Sequence, residues 1–109
     1  MAYDEELAAR IRALVAGEPA LTEKKMFGGL AFLVGGNMAI AASGQGGVLV
    51  RVDPEQSDAL VGTDAYVMEM RGRSMAGWLR VDPEHLGTDR ELARWADLGT
   101  AYARSLPAK

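Results

Sequence analysis

Hydrophobic and polar residues change period several times along this chain, and each change marks an element. In residues 4–15, DEELAARIRALV, the apolar Leu7, Ile11, Leu14 and Val15 fall on one helical stripe. Asp4 stands where a helix cap belongs, the acids precede the arginines as the helix dipole favours, and Gly17 followed by Pro19 stops the run. From Met26 the period becomes two. Leu30, Phe32 and Val34 alternate in a first strand, Gly35-Gly36 supplies a tight turn, and Met38 and Ile40 continue on the same face of a second strand. SGQGG (43–47) then turns the chain into VLVRV, a third strand with Val48, Val50 and Val52 on one side. AYVMEM (65–70) sets Tyr66, Met68 and Met70 against Val67 and Glu69, and Gly77 to Val81 completes a set of five strands. A last helix is predicted from Thr88 to about Leu106, opened by the T-x-x-E box of Thr88 and Glu91 and striped by Leu92, Trp95, Gly99, Tyr102 and Leu106. Gly99 inside that stripe predicts close packing of the helix on the sheet.

The pentapeptide RVDPE occurs at 51–55 and again at 80–84. In both copies it follows a predicted strand, while the flanking sequences share nothing further, so it reads as one strand-exit device used twice and not as a repeat architecture. In the first copy Asp53 is expected to cap a short helix, with Pro54 in its first turn and Gln56 three residues after the cap. The order is therefore α-β-β-β-α-β-β-α, a single two-layer α+β domain over residues 1–109 with a five-stranded, largely antiparallel sheet and helices on one face.

Alternation divides the strand residues between two faces. Leu30, Phe32, Val34, Met38, Ile40, Val48, Val50, Val52, Met68, Met70, Leu79 and Val81 suit the helix-covered side. The other side receives Ala31, Leu33, Ala39, Ala41, Leu49, Arg51, Val67, Glu69, Trp78 and Arg80, which is more apolar than a sheet face in water normally is. Leu33, Leu49, Arg51, Val67, Trp78 and Arg80 are accordingly the candidate residues of an interface, expected to be that of a homodimer. A one-residue register slip would exchange the two faces.

Composition narrows the chemistry. Twelve Lys and Arg against 15 Asp and Glu give a formal charge of -3, so direct nucleic-acid binding is not expected. Cysteine is absent, which removes disulfides and thiolate metal sites and makes a cytoplasmic setting the natural expectation. No stretch approaches the ~18 apolar residues of a membrane span, so no membrane partner is expected. His85, the one histidine, falls in a turn with no predicted acid converging on it, and the serines sit at turns or helix positions outside any nucleophile elbow. GQGG opens a strand and lacks the third glycine of a dinucleotide cradle. The expectation is a protein that is not an enzyme and uses no metal or cofactor. Arg71 and Arg73, with Lys24 and Lys25 if the first strand lies nearby, are the candidates for an anion or acidic-partner site, although arginines on a connecting loop ordinarily stay solvated.

MFGGLAFLVGGNMA (26–39), MRGRSMAGWLRV (70–81) and LARWADLGTAYARSLPAK (92–109) together resemble the N-terminal domain of the TfoX/Sxy family, bacterial proteins linked to the regulation of natural competence. The resemblance spans almost the whole chain and implies a two-layer α+β fold with a five-stranded antiparallel sheet. It brings no catalytic residues with it. Full competence regulators carry a helical C-terminal domain after this one, whereas this sequence ends at Lys109, so the expectation is a stand-alone regulatory or protein-binding module. The alternative is a small-ligand or nucleotide-binding protein, with room for a cryptic enzymatic activity, using a groove beside Phe27, Gly28 and Gly29.

Overall fold

The structure, a computed structural model, describes residues 3–26, 28–62, 65–70 and 72–108, with the side chain of Met70 excepted. Three helices, α1 (Glu5–Val15), α2 (Ser57–Leu60) and α3 (Asp89–Ser105), accompany six strands: β1 (Leu21–Met26), β2 (Gly29–Val34), β3 (Asn37–Ala42), β4 (Val48–Arg51), β5 (Ala65–Met70) and β6 (Arg73–Val81). The strands form one antiparallel sheet in the order β1-β2-β3-β4-β6-β5. The α+β class is as predicted, with one strand more than the five expected. The added strand is β1, whose central Thr22, Glu23, Lys24 and Lys25 are all exposed. Such a stretch shows no apolar alternation, but an edge strand needs only one partner, and β2 pairs with all six of its residues.

Leu7, Ile11 and Val15 of α1 and Leu92, Trp95 and Ala96 of α3 close over Leu30, Phe32, Ile40, Val48, Val50, Leu79 and Val81 to form the core on one face of the sheet. Both helices begin as their sequences require. The Asp4 carboxylate accepts from the N–H groups of Glu6 and Leu7 at 2.9 and 3.2 Å, and the Thr88 hydroxyl oxygen accepts from Glu91 N–H at 3.2 Å. Gly99 lies where a Cβ would strike the carbonyl oxygen of Ala39, so its lack of a side chain sets how closely α3 lies on the sheet. Arg12 of α1 donates through Nε and Nη2 to the two carboxylate oxygens of Glu23 at 2.7 and 2.8 Å, tying the helix to the edge strand. These hydrogen bonds hold the Glu23 carboxyl below its ordinary pKa; its slight burial opposes the shift and the positive charge of Arg12 reinforces it.

Each RVDPE copy makes the same backbone turn at a strand exit. The Asp53 carbonyl accepts from Gln56 N–H at 2.8 Å, and the Asp82 carbonyl accepts from His85 N–H at 3.0 Å. Their side chains act differently, and Asp53 is not the helix cap expected of it. Asp53 accepts from Glu55 N–H at 2.9 Å in a local Asx turn, and the short α2 starts later, at Ser57, without a side-chain cap. Asp82 accepts instead from the Tyr66 hydroxyl at 3.2 Å.

Two groups of residues lie on the opposite face from the one alternation predicts. In β3 the register shifts by one between Phe32 and Leu33, leaving Ala39 as an extra residue. Ala39 therefore packs against Ala103 of α3, and Met38 turns away from the helices. In β5, Val67 pairs with Leu79 and packs on the helix-side core, while Met68 points to the other face. Val67 is thus corrected out of the candidate interface. AYVMEM is apolar in both phases over most of its length, so its pattern alone does not fix which side faces the helices.

Candidate functional site

The sheet face turned away from the helix-side core carries its own apolar cluster, built from strand residues alone. Ala31, Met38, Ala41 and Leu49 are buried there by one another and by the half-buried Met26, Leu33, Met68 and Trp78 packed around them. Leu49 keeps 6 % of its surface exposed with no helix above it, whereas its neighbours Val48 and Val50 are fully buried on the other side. The three methionines are unbranched and adaptable, and they pack in one cluster with the small Ala31 and Ala41.

This cluster encloses an open cavity of about 170 Å³. Met26, Ala31, Met38, Ala41, Leu49 and Met68 supply its apolar lining, while Gly29, the 42–45 strand exit and Arg80 complete the wall. Arg80 lies opposite Leu49 in the β4–β6 register, and its Nη2 donates to Ser43 Oγ at 3.1 Å and to the Gly46 carbonyl at 3.4 Å. Both acceptors are neutral. Among the described residues, no carboxylate pairs with Arg80, and its Nε and Nη1 donors have no protein partner. Nothing else in the lining is ionisable.

Arg51 lies opposite Trp78 in the same register and engages aromatic faces. Its guanidinium carbon is 5.0 Å from the centroid of the Trp78 ring and 5.7 Å from that of Tyr102. Leu33, Leu49, Arg51, Trp78 and Arg80 thus share the predicted face. The described anion candidates, Lys24, Lys25 and Arg73, do not converge. Lys24 registers opposite Ala31, on the face of the cavity, while Lys25 registers opposite Leu30, on the helix face. Arg73 is exposed on β6, with β2, β3 and β4 between it and β1 in sheet order. Arg71 lies outside the described residues, as does Phe27 of the predicted groove, of which Gly29 does line the cavity. His85 lies 3.7 Å from Glu84 on the 3-10 turn Pro83–His85, outside the cavity lining. Among the described residues, no three His, Asp or Glu side chains are placed to hold a metal ion, and no helix is long and apolar enough to cross a membrane.

The family model of the TfoX N-terminal domain matches residues 13–103. The chain belongs to the TfoX N-terminal domain family. The match runs from within α1 to the last turn of α3, so all six strands and the cavity lie inside the TfoX N-terminal domain. No curated protein matches the chain. The sequence reading of this TfoX domain missed Met26, Met38 and Met68 as one group, because they stand on three strands and two of them were assigned to the helix side. The available signal was their number, since six methionines in 109 residues is a generous supply.

Proposed function

We propose that this TfoX N-terminal domain is a non-catalytic regulatory module that docks a polypeptide, first of all a second copy of itself, on its helix-free sheet face. One observation carries the reading. The apolar cluster on that face draws on all six strands: Met26 of β1, Ala31 and Leu33 of β2, Met38 and Ala41 of β3, Leu49 of β4, Trp78 of β6 and Met68 of β5. A surface of this extent buries apolar area when a two-fold mate packs on it, and a two-fold contact needs only that the face be complementary to itself. A non-catalytic role accords with a cavity whose lining offers a single ionisable group, Arg80, and no acid or histidine beside it.

Sedimentation velocity over the micromolar range tests the reading. The wild type is expected to sediment as a dimer and Trp78→Arg, which sets a charge in the middle of the face, as a monomer. A wild type that remains monomeric throughout, or a Trp78→Arg protein that dimerises as well as the wild type, would overturn it.

A further inference from the structure

Beyond polypeptide docking, we propose that the cavity walled by Arg80, which opens on the same sheet face, binds a small amphiphilic carboxylate in the monomer, its apolar body among the methionines and its charged head on the guanidinium. The apolar half of the argument is size and lining. About 170 Å³ is close to the volume of an apolar protein cavity that accommodates benzene, so the space suits a body of roughly six to eight heavy atoms. Met26, Met38 and Met68 adjust to an irregular apolar shape more readily than branched side chains do, and Ala31 and Ala41 leave the room.

The polar half is the state of Arg80. Ser43 Oγ and the Gly46 carbonyl fix its Nη2, which orients the planar group without neutralising it. The Nε and Nη1 donors remain unpartnered among the described residues, so a carboxylate can accept from Nη1 and completes the Nη1–Nη2 fork by replacing the Gly46 carbonyl, the longer of the two Nη2 contacts. A half-buried, uncompensated cation at the wall of an apolar space selects an anion over a neutral molecule of the same shape. It also selects an anion with an apolar body over a bare inorganic one, because only the former displaces water from the methionine lining.

Phenylacetate is a suitable probe, with 2-phenylethanol lacking the charge and acetate lacking the body. Isothermal titration and thermal shift of the 109-residue protein are expected to show saturable binding of phenylacetate, and weak or no binding of the two controls. Arg80→Gln, which keeps a donor for Ser43, should weaken phenylacetate binding by about tenfold or more, the loss expected for a charge-assisted hydrogen bond. Arg80→Lys should recover part of it. Ala41→Leu fills the space from the opposite side, and is expected to abolish binding while the melting temperature in the absence of probe stays near or above that of the wild type. Binding unchanged in Arg80→Gln and Ala41→Leu alike would overturn the proposal. Because self-association would cover the same face, the titrations are run on Trp78→Arg as well, a position that does not line the cavity, and absence of saturable phenylacetate binding to both this variant and the wild type overturns the ligand proposal whatever the oligomeric state.

Discussion

At Gly99 the backbone of α3 comes so close to β3 that an added Cβ would meet the Ala39 carbonyl and press on Val50. Two effects oppose each other in Gly99→Ala. Helix propensity favours alanine by about 1 kcal/mol, whereas forcing a methyl group into a packed contact costs about 1–3 kcal/mol. The obstacle is a main-chain oxygen in the middle of a sheet, which cannot rotate aside, so the second effect wins. Gly99→Ala is expected to lose up to about 2 kcal/mol, the upper cost less the propensity gain, read as a lower urea midpoint at unchanged m-value. The sequence already announced this residue, because a glycine in the apolar stripe of a helix has few other uses. Glu23 gives a second residue-scale test. Its carboxyl is held below the ordinary value in the folded protein and released in the unfolded chain, so the stabilisation it provides is complete above the ordinary carboxylate range and disappears as pH falls through the folded-state value. A carbon-detected NMR titration should find the Glu23 midpoint rising towards the ordinary value in Arg12→Gln; an unchanged midpoint would mean that the two hydrogen bonds do not persist in solution.

Among elements, the contrast between Thr88 and Asp53 is the most direct test, since the sequence offers both as helix caps. Thr88 caps the 17-residue α3, and its replacement by alanine is expected to cost about 1 kcal/mol. Asp53 holds only a local turn before a four-residue helix, so Asp53→Ala should cost about half of that or less. Equal shifts in the urea midpoint would contradict this assignment. The existence of α1, α3, β2, β3, β4, β5 and β6 was legible because their periods are clear. Three details were not, each for its own reason. Thr22–Lys25 carries no periodic apolar signal, since the middle four residues of the edge strand are exposed and only its ends, Leu21 and Met26, pack on apolar neighbours. The bulge at Ala39 falls within MAIAA, where every residue is apolar and an inserted one leaves no mark. Tyr66, Val67 and Met68 are apolar in succession, so their phase is decided by pairing with β6 and not by composition.

For the molecule as a whole, the division into a helix-covered core and an apolar second face followed from alternation at Leu33, Leu49, Trp78 and Arg80, all of which lie where that reasoning puts them. The cavity did not follow, because it needs side chains from positions 26, 38 and 68 to meet across the sheet, a relation that no local pattern contains. The Trp78→Arg test also belongs to this scale. Trp78 is half-buried in a cluster outside the main core, so its loss is expected to cost the dilute monomer only about 1 kcal/mol, while association falls by tenfold or more. The two layers also divide the chain's two tryptophans. Trp95 is sealed in the helix-side core with 2 % of its surface accessible, and Trp78 sits on the open side beside Arg51. Each layer therefore carries its own fluorophore: a dissolved quencher reaches the emission of one and is shut out from the other, and a single spectrum can separate events on the open side from melting of the interior.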